Sequence, residues 1–260
     1  MAEQIFDLSG KVALVTGGNG GIGLGMALAV AKAGANVAIW GTNADKNARA
    51  VETLRAHAEA EAFTCNVADR DAVDAAMAQT LERFGRLDGC IANAGVSGRG
   101  ARSFLDITPD EWQRVLSVNL DGVYHTYQAA LRHMVARAEA GDPGGRLACV
   151  SSLASVSGAA RNQHYAASKG ALNAMTYALA VEFARYGITA NAILPGWIAT
   201  DMTENAMATP KFAEAAGKRI PARRWGEPAD FGGIAVYLMS VASAYHTGQL
   251  LQIDGGYFRF

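Results

Sequence analysis

The sequence predicts an α/β protein built on a doubly wound parallel sheet, and three observations carry the prediction. A short β-branched run, Lys11 to Thr16, breaks into Gly17-Gly18-Asn19-Gly20-Gly21-Ile22-Gly23 and resumes as an apolar helix from Leu24 to Lys32 that stops at Gly34. Runs of this kind then alternate with helical stretches along the whole chain, with no break in composition. Nearly every chemically suggestive motif falls just after a predicted strand, where an open parallel sheet binds its ligands.

Strands are expected at 11–16, 36–40, 62–65, 87–92, 146–151, 188–194 and 249–253. They are short apolar runs of the sort buried on both faces of a parallel sheet. Helices are expected at 24–32, 44–57, 70–84 and from 163 onward. Thr108-Pro109-Asp110-Glu111 reads as a capping box with proline in the first helical position, opening one long helix past Asn119 to about Ala138. No repeat, linker or low-complexity segment interrupts 1–260, so one domain is expected, with helices on both faces of about seven strands. A stretch at about 197–225, amphipathic and bounded by turn residues, reads as a lid.

Composition excludes several classes. A net charge of −1 provides no basic field for nucleic acid and no patch for anionic lipid. Cys65, Cys90 and Cys149 lack Cys-x-x-Cys spacing and the five histidines are scattered, so neither a disulfide framework nor a metal site is expected. The apolar stretch from Ile22 to Trp40 contains Lys32, Gly34 and Asn36, which suits helix, turn and strand rather than a membrane span. Met1 to Asp7 has no charged n-region and apolar core of a signal peptide, so a cytoplasmic protein is expected.

Strand, glycine loop, helix and strand within about 30 residues is the context in which backbone N–H groups and a helix N-terminus hold a pyrophosphate. The loop reads in two frames, Gly18-x-Gly20-x-x-Gly23 or Thr16-Gly17-x-x-x-Gly21-x-Gly23. The second chemical feature is Tyr165 with Lys169, four residues apart on one helix face. An ammonium beside a phenol favours the phenolate, so the pair is expected to bring Tyr165 down toward the working range of an acid–base catalyst.

Taken together the chain resembles the short-chain dehydrogenase/reductase family, in particular 3-oxoacyl-carrier-protein reductases and sugar or gluconate dehydrogenases. The resemblance runs from Lys11 to Tyr257. It rests on the 16–23 loop, Asn93-Ala94-Gly95, Asn119, Ser151-Ser152, Tyr165 with Lys169, Pro195-Gly196, and Asp254-Gly255-Gly256. It implies hydride transfer between a nicotinamide cofactor and a secondary alcohol or ketone. Ser152, thirteen residues before Tyr165, would hold the substrate oxygen, with Ser151 fitting that spacing less well. Tyr165 would exchange the proton, Lys169 would lower its pKa and bind the nicotinamide ribose, and Asn119 would position a relaying water. Cofactor contacts implied are Gly17, Asn19, Gly21, Ile22, Gly23, Asn93, Ala94, Gly95, Tyr165, Lys169, Pro195, Gly196, Ile198 and Thr200. Asn66-Val67 stands where the family usually has aspartate-valine beside the adenine.

The second strand ends Ile39-Trp40-Gly41-Thr42-Asn43 without an acid until Asp45. An acid there would bind a ribose 2′-hydroxyl and repel a 2′-phosphate. Its absence favours NADP over NAD, with Thr42 and Asn43 as phosphate ligands, while Gly20 stands where NADP-preferring relatives often carry arginine. His164 is expected to line the pocket or to be structural, Trp112 to be core, and Trp197 and Trp225 to face the substrate. Arg161, Arg223 and Arg224 read as solvated surface. The small residues Ala171, Ala174 and Ala178 suit close helix packing, and family likeness implies a homotetramer acting on a small carbonyl or alcohol. The rival reading is a dinucleotide-binding regulator that kept the fold without the chemistry.

Overall fold

Alternation along each strand decides which layer its side chains fill. In β1 (Val12–Thr16), Val12 and Leu14 enter one core and Ala13 and Val15 the other. In β2 (Asn36–Gly41), Ala38 and Trp40 face the first core and Val37 and Ile39 the second. Period-two alternation with both faces apolar is what a sheet sandwiched between helices requires. Trp40 is 1% exposed, and its indole N–H donates to Thr80 Oγ1 at 3.0 Å, so the largest buried side chain leaves no polar group unpaired.

The computed structural model describes residues 5–259. Met1 to Gln4, part of the stretch read for a targeting signal, lie outside the described residues. The sheet also contains β3 (Ala60–Thr64), β4 (Gly89–Ala92), β5 (Gly145–Val150), β6 (Ile188–Pro195) and β7 (Leu250–Ile253). The spatial order is β3-β2-β1-β4-β5-β6-β7, with every pairing parallel. The order reverses between β1 and β4, which puts the ligand crevice beyond the carboxyl ends of those strands.

Around the sheet run α1 (Gly21–Lys32), α2 (Ala44–Arg55), α3 (Arg70–Phe84), α4 (Pro109–Leu116), α5 (Gly122–Glu139), α6 (Gln163–Phe183), α7 (Pro210–Arg219) and α8 (Gly232–Met239). Gly85, at φ +73°, closes α3. The helix α8 was not anticipated, because its apolar residues run together without a clear period. No helix among the described residues is long and apolar enough to cross a membrane.

The expected long helix from Thr108 is present, running without a gap from Pro109 to Glu139, but it is not uniform. Between α4 and α5 the chain makes a π-helical turn at Ser117–Asp121, with Asn119 fully buried inside it. Such widened turns concentrate at functional sites. The capping box is also only half made. Thr108 Oγ1 accepts from Glu111 N at 3.2 Å, but the Glu111 carboxylate turns away to Arg114, at 2.8 Å from both Nε and Nη2, and to Arg99 N at 2.9 Å. A charge-assisted bidentate pair is stronger than the reciprocal cap it replaces. Hydrogen bonds from Arg114 hold Glu111 down to about 2.

The opposite, amino-terminal edge of the sheet is tied by Asp88. Its carboxylate accepts from Val12 N at 3.0 Å, from Arg86 Nη2 at 2.6 Å and from Arg137 Nη1 at 2.8 Å. Burial pushes this carboxyl up, but the Arg86 and Val12 hydrogen bonds outweigh it and hold the group below the ordinary aspartate range. Cys65, Cys90 and Cys149 are buried free thiols, and burial pushes each of them up. Among the described residues no group of side chains is placed to hold a metal ion.

Candidate active site

A cleft of about 370 Å³ opens at the β1/β4 reversal. Its floor is the glycine loop. Gly17 has φ +63°, a conformation glycine adopts without strain. Gly23 sits so close beneath the loop that a Cβ there would lie 2.3 Å from Gly17 O and 2.4 Å from Asn93 Nδ2. The Asn93 amide fastens β4 to this turn, donating to Thr16 O at 3.0 Å and Gly17 O at 3.2 Å. Thr16 Oγ1 accepts from the N–H groups of both Asn93 and Ala94 at 3.0 Å. A Cβ on Gly20 would meet nothing within 4 Å, so the backbone there faces open space beside the start of α1. A bare backbone turn at a helix N-terminus, braced from below, fits a pyrophosphate. Replacing Gly23 by alanine should therefore force the loop off β4. The expected result is dinucleotide affinity reduced by about tenfold or more with the folded far-UV spectrum kept; wild-type affinity in a titration would count against this loop as the cradle.

Gly17, Asn19, Gly21, Ile22, Asn93, Ala94, Gly95, Ser152, Tyr165, Lys169, Pro195, Gly196, Ile198 and Thr200 all line the cleft. Gly23 supports the loop from behind. Thr42, Asn43, Asn66 and Val67 are not among the lining residues. Asn43 caps α2, its Oδ1 accepting from Lys46 N at 2.9 Å. Asn66 Oδ1 accepts from Ala68 N while its side chain stays exposed, and Val67 is buried beneath Gly122. Five lining residues were not assigned to the site from the sequence: Lys46, Val150, Asp201, Met202 and Thr203. No local pattern signals them, because they meet only when α2, β5 and the segment after β6 fold together.

The two serines after β5 separate cleanly. Ser151 is 1% exposed and donates to Lys169 O at 3.0 Å, so it anchors α6. Ser152 Oγ accepts from Ala154 N at 3.1 Å and lies near enough to Tyr165 to favour its phenolate. Lys169 Nζ lies 5.7 Å from the centroid of the Tyr165 ring and donates to Val150 O at 2.7 Å. The expectation that Lys169 lowers the Tyr165 pKa is corrected here. The ammonium donates to a β5 carbonyl and lies over the ring, and it is not among the groups that shift the phenol. Burial pushes the phenol up, and only Ser152 works in the opposite sense. Burial also brings Lys169 down to about 8.

Asn119 braces the wall. Its Oδ1 accepts from Val96 N at 2.8 Å, and its Nδ2 donates to Val96 O at 2.9 Å and to Ser168 Oγ at 3.1 Å. A Cβ on Gly95 would come 3.2 Å from Asn119 Oδ1 and 3.4 Å from Lys169 Nζ, so the three residues share one corner. His164, 1% exposed, lies 3.6 Å from Glu111 and stacks toward Trp112 at 6.5 Å, which agrees with a structural role. Trp112 itself is half-buried and outside both core clusters. Trp197 packs on Phe212 at 4.9 Å and Trp225 at 5.5 Å, an aromatic group within the segment 197–225. Arg224 pairs with Asp230 at 2.7 Å, while Arg161 and Arg223 are exposed at φ +66° and +59°.

A family model described as enoyl-(acyl carrier protein) reductase matches residues 17–258, the span that contains every wall of this cleft. The chain belongs to the short-chain dehydrogenase/reductase family. It is 37% identical to 5-keto-D-gluconate 5-reductase of Escherichia coli strain K12 over 255 residues, 98% of both chains. It is also 37% identical to versicolorin reductase 1 of Dothistroma septosporum strain NZE10 over 272 residues, 100% of both. A crystal structure of a gluconate 5-dehydrogenase from Burkholderia cenocepacia J2315, solved in complex with NADP and tartrate, superimposes with a TM-score of 0.91 at 35% identity, covering 100% of both chains. This short-chain dehydrogenase/reductase is an NAD(P)-dependent oxidoreductase, and its kinship with working enzymes goes against the silent regulator.

Proposed function

We propose that this enzyme interconverts a keto-sugar acid and its secondary alcohol, with NADP preferred over NAD and Tyr165 as the proton donor and acceptor. The observation that carries the reading is the meeting of Ser152, Tyr165 and Lys169 on one wall of a cleft whose floor is a braced glycine loop. The sugar-acid class is supported by the activities of the 5-keto-D-gluconate reductase and gluconate 5-dehydrogenase relatives. The NADP preference is supported by the acid-free end of β2.

The nicotinamide supplies or accepts the hydride. The protein's part is the proton and the geometry. Ser152 and Tyr165 converge on the position of the carbonyl oxygen, and the raised phenol keeps its proton at neutral pH, ready to neutralise the charge that develops on that oxygen during reduction. Lys169, anchored to Val150 O, offers its remaining N–H groups toward the ribose side of the cleft. Asn119 holds Val96, and with it Gly95, beside Lys169, where a relaying water would sit. The segment 197–225, with its Trp197, Phe212 and Trp225 group, closes over the substrate as a lid on a single dinucleotide-binding domain.

We assign the enzyme to the cytoplasm as a homotetramer. The assembly is supported by an apolar groove of about 530 Å³ between α5 and α6, lined by Leu131, Val135, Met175, Leu179 and Phe183, which suits a second copy of the same helices. The functional reading is tested by following oxidation of NADPH and of NADH across keto-sugar acids, aliphatic ketones and aromatic ketones. Fastest turnover on a keto-sugar acid with NADPH is expected; turnover confined to aromatic or aliphatic ketones would overturn the substrate class.

A further inference from the structure

Two residues of opposite charge meet across the mouth of the cleft. Lys46 Nζ lies 2.7 Å from Asp201 Oδ2, and the two are 155 positions apart in sequence. Both line the dinucleotide cleft. Their side chains are 46% and 86% exposed, so the pair is wet and weakly held. Among the described lining residues the only cations are Lys46 and Lys169. Lys169 is 3% exposed and committed to Val150 O, which leaves Lys46 as the mobile one.

The position of Lys46 is set by two contacts. Its backbone N–H donates to Asn43 Oδ1, fixing it in the first turn of α2 directly after β2. Its neighbour Asn47 accepts from Asn19 of the glycine loop at 2.7 Å, so this turn is joined to the pyrophosphate cradle. The carboxyl end of β2 is where a ribose 2′ substituent sits in this topology. No acid occupies that end, and an anionic oxygen, that of Asp201, already rests on the Lys46 ammonium. Asp201 follows Thr200 and opens the segment after β6, so it reaches Lys46 from the opposite wall.

We propose that Lys46 selects the 2′-phosphate of NADP and that Asp201 is its internal competitor, so that cofactor entry exchanges a carboxylate for a phosphate on one ammonium. The inference rests on the NADP preference proposed above and adds the residue that enforces it. A phosphate carries more charge than a carboxylate and offers three strong acceptor oxygens, so the exchange runs toward phosphate. Thr42 and Asn43, one and two residues beyond β2, are left to form the turn and cap the helix start.

The test is direct binding, measured by calorimetry on wild type, Lys46→Met, Lys46→Arg and Asp201→Asn, with NADPH, NADH, 2′,5′-ADP and 5′-AMP. Lys46→Met should weaken NADPH and 2′,5′-ADP by about 10- to 100-fold while leaving NADH and 5′-AMP unchanged. Lys46→Arg should keep most of the discrimination, and Asp201→Asn should tighten NADPH and 2′,5′-ADP. Lys46 is exposed, and an unchanged thermal melt of the variant confirms that the loss is one of recognition. Wild-type protein that prefers NADPH, with Lys46→Met keeping that preference, overturns this inference alone. Wild-type protein that binds NADH at least as tightly as NADPH overturns the preference and this inference together.

Discussion

Tyr165→Phe is expected to lower kcat by about 10²- to 10⁴-fold, the usual contribution of a positioned proton donor. The substitution removes one oxygen and keeps the ring, so the contact between the ring face and Lys169 at 5.7 Å survives. Dinucleotide affinity and melting temperature should therefore match wild type, and KM should change little. Direction matters as well. Burial holds the phenol above its ordinary value, so at neutral pH the group is a donor, suited to reduction of a carbonyl. Alcohol oxidation needs the phenolate and should rise with pH across the alkaline range, whereas in Tyr165→Phe that rise should be gone. Steady-state rates in both directions against pH check this, and a variant that keeps its rate and its pH profile would remove Tyr165 from the chemistry.

Asp88→Ala should be the most destabilising substitution away from the cleft, costing about 3–5 kcal/mol, the range for leaving a buried charge without its partner. For a chain of this size that is a fall of about 10 °C in Tm. Val12 N loses its side-chain acceptor, and Arg86 and Arg137, the latter only 14% exposed, each lose their shortest carboxylate contact and keep Asp142. The pH dependence has a definite sign. The folded carboxyl is held below its ordinary value, so its contribution is complete above about pH 4 and is lost as pH falls through the depressed folded pKa. Urea melts of wild type and variant should differ most at neutral pH and converge in acid. The carboxylate sits at the amino-terminal edge of β1 and β4, across the sheet from the cleft, so kcat per folded molecule should be unchanged. A neutral-pH stability equal to wild type would show that the surrounding cations are solvated independently of Asp88.

The chain's order of elements was legible in the residues because parallel strands buried on both faces must be short, apolar and β-branched, and each is punctuated by glycine or a capped helix start. The strands from Val12 to Ile253 lie within a few residues of where those runs fall. The Tyr165–Lys169 pairing was legible because helical spacing fixes which residues share a face. The glycine loop was legible because so dense a run of glycine between a strand and a helix has few other uses. These are local facts, each fixed by a handful of consecutive residues.

What tertiary structure alone decided is what those residues do to one another. The aim of the Lys169 ammonium at Val150 O, the upward push of burial on Tyr165, and the division of labour between Ser151 and Ser152 follow from how β5 packs on α6. The π-helical turn at Asn119 and the diversion of Glu111 from its cap to Arg114 follow from partners that are distant or compete for the same lone pairs. Lys46 and Asp201 belong to the cleft only because two walls 155 residues apart meet there. Spacing along a chain determines direction and periodicity; electrostatics and burial depend on what arrives from elsewhere in the fold, and no local pattern records that.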